Sequence, residues 1–435
     1  MLAILANRTY RHLFLAQVIA LIGTGLATVA LALLAYDLAG NQAGVVLGTA
    51  LAIKMLAYIG VAPVAAAFAE RLPRRGMLVS LDLVRATVAL ALPFVSEVWQ
   101  VYVLIFLLQS ASAAFTPTFQ ATIPDILPDE RDYTRALSLS RLAYDLENII
   151  SPMLAAILLV WISFHSLFVG TVIGFSISAA LVMSVALPKA QPTAARSLYQ
   201  RTTRGLRIFL ATPRLRGLLA LNVAVAAASA MVIVNTVVFV QAEFARPARD
   251  TAWALAAFGA GSMLVALVLP RLLEKAADRT VMLCGVGVLV LGLFAGLGLL
   301  GYGSLLLLWF ALGSGLALAQ IPTGRLLRRS AHAEDRPALF AAQFSLSHAC
   351  WLFTYPLAGW IGAHWGLDAA FAVLGVLAAG ALLTGLLVWK SAQDQTLIQH
   401  SHPDLPADHA HLHGSHNREH KHPFIIDDLH RRWPR

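Results

Sequence analysis

Pro188-Lys189-Ala190-Gln191-Pro192, continued by Arg196, Arg201, Arg204, Arg207, Arg214 and Arg216, is a polar, basic stretch in the middle of a mostly apolar chain. Six apolar runs precede it, at roughly 12–37, 43–68, 76–95, 99–120, 138–161 and 166–187. Six follow, at roughly 217–241, 251–271, 280–300, 303–324, 338–362 and 368–389. Each run approaches the ~20 residues that carry a helix across a bilayer. Hydrophobic residues make up 58% of the chain and charged residues 13%, against about a quarter charged in soluble domains. No run alternates polar and apolar residues as a membrane barrel strand does, and a helix satisfies its own backbone in lipid. The expected architecture is therefore an all-α membrane protein of twelve transmembrane helices in two six-helix pseudo-repeats. Its parts are a first bundle over 1–187, a basic linker over 188–216, a second bundle over 217–390 and a disordered tail over 391–435.

Charge sets the expected orientation. With the N-terminus in the cytoplasm, 28 of the 32 Lys and Arg residues fall on the cytoplasmic side, counting Arg141 and Arg271 at the cytoplasmic ends of their spans; Arg246 and Arg249 lie outside, and Lys54 and Arg85 lie deeper within spans. This is the asymmetry of the positive-inside rule, and it predicts both termini in the cytoplasm. The net charge of +9 follows from that bias, and no soluble domain is left over to bind nucleic acid. The first run is too long for the core of a signal peptide and reads as a retained anchor. Cys284 and Cys350 both fall in spans and read as small packing residues.

Local motifs add a resemblance. Ala66-Ala67-Phe68-Ala69-Glu70-Arg71-Leu72-Pro73-Arg74-Arg75, between spans two and three, resembles the loop signature G-x-L-A-D-R-x-G-R-[RK] of the major facilitator superfamily. Phe115-Thr116-Pro117, Ile123-Pro124-Asp125-Ile126-Leu127-Pro128-Asp129-Glu130, Arg135-Ala136-Leu137-Ser138, Ser151-Pro152-Met153-Leu154-Ala155, Gly205-Leu206-Arg207 and Pro213-Arg214-Leu215-Arg216 look like its drug and siderophore exporter branch. The resemblance covers about residues 1–390 and implies alternating access by rocking of two halves. It also implies a cytoplasmic latch, whose charges here are Glu70, Arg71, Arg74 and Arg75. Within the family, the chain looks like nickel-resistance permeases that carry a histidine-rich cytoplasmic C-terminus.

Ionisable residues inside a span are costly and are site candidates by default. Asp145 and Glu147 lie in span five, within Leu142-Ala143-Tyr144-Asp145-Leu146-Glu147-Asn148, and point to different faces of the helix. An inward carboxylate there would hold a cation or a proton; pairing with Arg141 or a neighbouring helix is the structural alternative. His348 is near the middle of span eleven and Lys54 near the middle of span two. The resembled fold packs those two spans together, which makes the pair a proton-coupling candidate. A hydrogen-bonded core histidine, and a lysine that snorkels or pairs with an acid such as Asp82, are the alternatives. Asp82 and Arg85 read as a structural pair. Gln17, Gln109, Asn222, Asn235 and Gln320 fall on spans one, four, seven and ten, which line the cavity in that fold; helix–helix hydrogen bonding is the alternative for such residues.

Nine of the fourteen histidines lie in the last 36 residues: His400, His402, His409, His411, His413, His416, His420, His422 and His430. Imidazole suits Ni, Co and Zn, and the absence of tail cysteines disfavours soft Cu(I). His400, His402, His409, His411, His413, His416, His420 and His422 are the expected metal ligands, with Asp404, Asp408, Glu419, Asp427 and Asp428 adding oxygen donors. The ending, Phe424 to Arg435, is amphipathic enough to dock on the membrane or on the protein body. The expected function is proton-driven export of Ni, and second of Co, from the cytoplasm across the bacterial inner membrane by a monomer needing no cofactor. Export of a siderophore, drug or other organic solute is the alternative. No nucleotide-binding loop is present, and no enzyme activity is expected.

Overall fold

The computed structural model describes residues 2–39, 43–69, 72–159, 161–188, 198–246, 248–298, 301–391, 397–401, 419–427, 429–430 and 432–434. The first six long helices are α1 (Arg8–Ala39), α2 (Ala43–Ala69), α3 (Arg74–Ala91), α4 (Val98–Ile126), α5 (Glu130–Leu158) and α6 (Phe164–Met183). A shorter helix, α7 (Leu198–Ala211), leads into α8 (Pro213–Val237), α9 (Ala248–Leu272), α10 (Asp278–Ala295) and α11 (Tyr302–Gln320). The short α12 (Thr323–Arg328) precedes α13 (Arg336–Trp365) and α14 (Leu367–Val388). Among the described residues nine helices are long and apolar enough to cross a membrane; α2, α5 and α13 complete the twelve.

The breaks have local causes. Asp129 caps α5, its carboxylate accepting from the backbone N–H of Arg131 and Asp132 at 2.9 and 3.0 Å, a stabilising arrangement at a helix N-terminus. Pro213 opens α8, where its missing N–H costs nothing. At the far end of α8 a turn of π-helix, Val238–Glu243, follows. Ala245 then turns left-handed at φ 50°, and the Arg246 N–H closes back onto the Val240 carbonyl at 2.8 Å, as a C-terminal cap does.

The two halves pack alike. In the first, α1 lies on α6 and α5, α3 on α6 and α4, and α2 on α4. In the second, α8 lies on α14 and α13, α10 on α14 and α11, and α9 on α11. Numbered as spans, these are the same five pairings displaced by six. The halves meet along two seams, α2 with α13 and α5 with α9. Trp99, Trp161, Trp253, Trp360 and Trp365 are exposed at one end of the bundle, where the amphipathic indole suits the membrane–water boundary. The opposite end carries the basic loops and is called the basic end below.

Two stretches depart from the sequence reading. The linker holds α7, which packs on α13 and α2. Gly205 makes that contact close, since a Cβ there would lie 1.9 Å from the Ala338 carbonyl oxygen. The tail, expected to be disordered over 391–435, contains an antiparallel pair, β1 (Leu397–Ser401) with β2 (Glu419–Pro423). Its last residues lie on the second half, with Phe424 and Ile426 buried in the same apolar cluster as Phe209, Leu215, Leu327 and Trp389. That cluster offers the burial that polar composition alone hid.

Candidate functional site

Lys54 and His348 come together at the α2–α13 seam around one ring, that of Tyr58. The Lys54 ammonium lies 5.5 Å from the Tyr58 centroid, within cation–π range. The His348 imidazole meets the same ring edge-on at 4.7 Å. Tyr58 is fixed from both sides: its hydroxyl donates to Gln109 Oε1 at 3.0 Å, and its carbonyl accepts from Ser345 at 3.2 Å. His348 Nδ1 is 2.7 Å from the Phe344 carbonyl oxygen. A carbonyl only accepts, so that nitrogen carries a proton and, in the neutral ring, Nε2 keeps its lone pair. Phe344 and Trp351 flank the imidazole at 4.2 and 5.3 Å. The Trp351 indole N–H and the Gln343 amide oxygen are buried without a protein partner. Lys54, Tyr58, Gln109, His348 and Trp351 all retain accessible surface, as side chains that line a space do. Lys54 therefore does not pair with Asp82.

Asp82 is fully buried and is held instead by Arg85 and by the Ser178 hydroxyl at 2.7 Å. Arg85 is stacked between Phe115 and Phe175, at 4.2 and 4.5 Å from their centroids. This unit ties α3, α4 and α6 together and is structural. Asp145 and Glu147 lie on α5, the helix that forms the other seam with α9; their side chains fall outside the described residues. The candidate set is thus split between helices on the two seams. Gln17 accepts from Ser140 at 3.1 Å, and Asn222 from Gln320 at 3.3 Å, so these polar residues join helices. Asn235 donates to the Ala358 carbonyl at 3.3 Å. Both cysteines are free, and Cys284 is exposed, not core.

At the basic end the halves are bridged by charge. Of the latch residues, Glu70 and Arg71 fall outside the described residues and Arg75 is exposed, while Arg74 pairs with Asp125 at the end of α4. The other Asp125 oxygen takes Arg336, at the start of α13, at 2.8 Å. The second half repeats the pattern with the signs exchanged. Asp278, at the start of α10, holds Arg325 at 3.2 Å and Arg329 at 2.9 Å. Arg325 in turn reaches Glu130, at the start of α5, at 3.0 Å. Arg328 donates to the Pro128 carbonyl and lies over the Tyr133 ring at 5.3 Å. Arg131 and Glu274 add a looser pair at 3.9 Å. Arg336–Asp125, Arg325–Glu130 and Arg131–Glu274 thus join the two halves at this end. Sequence reading gave Asp125, Glu130, Asp278, Arg325 and Arg336 no role. The signal that would have found them is the repeat itself, with spans three to five laid over spans nine to eleven.

The Major Facilitator Superfamily profile matches residues 13–239 and 218–403, the two halves in succession. The chain belongs to the Major Facilitator Superfamily. It is 24% identical over 334 residues to an uncharacterized MFS-type transporter, YfiS, of Bacillus subtilis, covering 74% of this chain and 79% of that protein. Macrolide efflux protein A of Enterococcus faecalis is 27% identical over 154 residues, 33% of this chain and 47% of that protein. The fold is that of the human organic anion transporter MFSD10 (TETRAN), with a TM-score of 0.74 at 13% identity over 87% of this chain and 99% of that one. This superfamily chain is a multi-pass membrane transporter with efflux-type relatives, and it is not an enzyme.

No group of three or more His, Cys, Asp or Glu side chains that could hold a metal exists among the described residues of this superfamily transporter. Of the expected tail ligands, His402, His409, His411, His413 and His416 fall outside the described residues. His400, His420 and His422 belong to the strands by backbone, with His400 opposite His420 and His422 opposite Ile398.

Proposed function

We propose that this transporter exports divalent metal cations, Ni first and Co second, from the cytoplasm against entering protons, and so confers metal resistance. What supports the reading is the histidine content of the chain around the strand pair β1–β2, whose following segment lies on the second half. His400 and His420 stand opposite each other, and the chain beyond β2 is buried against that half. With the basic end in the cytoplasm, the imidazoles of His400, His402, His409, His411, His413, His416, His420 and His422 collect cargo on the loading side. Asp145 and Glu147 carry the cation or proton through the membrane, and Lys54 with His348 couples proton movement to rocking at the α2–α13 seam. Arg74, Arg75, Glu70 and Arg71 belong to the inner latch. The transporter sits in the bacterial inner membrane, acts as a monomer, and needs no resident cofactor.

The second reading is proton-driven export of an organic solute. It is favoured by the macrolide efflux relative and by the aromatic lining of Tyr58, Phe344 and Trp351 beside a lysine. The deciding experiment is uptake of Ni, Co and Zn into inverted vesicles under an imposed pH gradient, with the intact chain and with one ending after Lys390. Proton-linked metal uptake supports the first reading. No metal movement alongside proton-linked transport of an organic solute establishes the second.

A further inference from the structure

At the end of the bundle away from the basic loops, α9 and α11 enclose a cleft of about 520 Å³, within the range of ligand-sized pockets. The two backbones touch at one level. A Cβ on Gly261 would lie 2.0 Å from the Phe310 carbonyl oxygen, and one on Gly313 would lie 1.9 Å from that of Phe258. From there to the helix ends the α9 wall of the cleft is small, made by Ala256, Ala257 and Ala260, with Leu306 on the α11 side. Between Asp250 and Ala260 the cleft runs about 15 Å along the helix.

This side of the second half is apolar and open. Trp253, Leu264, Leu267 and Val268 continue the Ala257–Ala260 face of α9 and are between 51% and 67% exposed. Leu307, beside Leu306 on α11, is 74% exposed. Large apolar side chains left uncovered in such a row are what a bilayer covers.

Arg246 stands at the mouth of the cleft, just after the left-handed turn at Ala245. Its Nε donates to Asp250 at 2.5 Å, and its guanidinium lies over the Tyr302 ring at 4.3 Å. The Tyr302 hydroxyl donates to the Asp250 carbonyl at 2.8 Å, which ties the three residues together. These contacts use one N–H and one face of the guanidinium. Among the described residues neither Nη group donates to a protein acceptor, and the side chain is 46% exposed. Such a fork matches the two unesterified oxygens of a phosphodiester. Arg246 is also one of two bases on the expected outer side, where the positive-inside bias disfavours them.

We propose that this cleft is a site for one glycerophospholipid. Arg246 holds the phosphodiester, Trp253 and Tyr302 sit at headgroup depth, and an acyl chain lies between α9 and α11. A free phosphate would use Arg246 and leave the apolar cleft unfilled. A neutral lipid would fill the cleft and leave the Nη groups without an acceptor. Every lining residue belongs to the second half, so the lipid travels with that half, whichever cargo is carried.

Native mass spectrometry of the full-length protein in detergent tests the site, with dioleoyl phosphatidylglycerol, dioleoylglycerol and glycerol phosphate as the three probes. The wild type should bind one phosphatidylglycerol at least about tenfold more tightly than the phosphate-free diacylglycerol. Glycerol phosphate, which has no chains, should not displace it. Arg246→Gln should lose the preference while still taking up diacylglycerol. Ala260→Phe, which narrows the cleft and keeps the arginine, should weaken both lipids by about tenfold. The preference is a ratio within one protein, so a general loss of stability does not imitate its disappearance. Equal affinity of the wild type for the two lipids would overturn the proposal, as would an unchanged preference in Arg246→Gln. Unaltered lipid binding in Ala260→Phe would take the acyl chain out of the cleft. Displacement by glycerol phosphate would leave a site for soluble phosphate in place of a lipid.

Discussion

Asp82 shows what a charge inside this membrane bundle requires. It is fully enclosed, and Arg85, itself 6% exposed at the side chain, and Ser178 face it. Removing one partner of such a pair leaves the other stranded, a loss of about 3–5 kcal/mol, whereas removing both costs far less. Arg85→Met is therefore expected to lower thermal stability in detergent sharply, and the double variant Asp82→Leu/Arg85→Met to recover most of the loss. Equal instability of the single and double variants would contradict a purely structural role. Asp125 makes a different prediction, because it joins Arg74 in its own half to Arg336 in the other. Asp125→Asn should weaken closure of the basic end by roughly 1–3 kcal/mol. The check is faster alkylation of a cysteine introduced at Leu137, which packs beneath Gly324 of the opposite half. The Asp82–Arg85 pair was legible in the sequence because both members sit three residues apart on one helix. Asp125 with Arg336 was not, because the partners are 211 residues apart and only the fold brings them together.

At the scale of elements, long apolar runs read themselves out: length and hydropathy give the twelve spans with little help from tertiary contacts. The elements that escaped are those whose stability comes from a neighbour. The helix α7 looks like a charged linker, but Arg204 is buried on Asp335 and Gly205 brings its backbone onto Ala338. The ribbon β1–β2 and the segment after it look like a disordered polar tail because their apolar residues are few. Those few reach a buried surface on the second half that sequence composition does not display. The importance of backbone approach at α7 is testable: Gly205→Leu must push the helix away from α13 and break the Arg204–Asp335 pair. A loss of about 1–3 kcal/mol or more is expected. Gly76→Leu, where an added Cβ meets nothing within 4 Å, should change stability by about 0.5 kcal/mol at most. Thermal unfolding of the two variants side by side provides the measurement, and matching losses would show that α7 is not held by close approach.

For the whole molecule, the exchanged signs of the two gates carry a mechanical consequence. In the first half a base at the start of span three holds an acid at the end of span four, which reaches a base at the start of span eleven. In the second half an acid at the start of span nine holds a base at the end of span ten, which reaches an acid at the start of span five. Within each half these pairs bind elements that move together; between the halves they bind elements that must part. If the halves rock as rigid bodies about the α2–α13 and α5–α9 seams, a covalent link has opposite effects in the two places. In a Cys284→Ser/Cys350→Ser background, a flexible reducible thiol cross-linker joining Glu130→Cys to Arg325→Cys is expected to abolish transport, and reduction to restore it. The same reagent joining Arg74→Cys to Asp125→Cys, inside one half, should leave the rate where it stood before linking. Transport that continues across the first link, or stops with the second, would mean that the halves do not move as units. Because each variant is compared with itself before and after linking, the loss of the native charges cancels, and the outcome does not depend on whether the cargo is a metal ion or an organic solute.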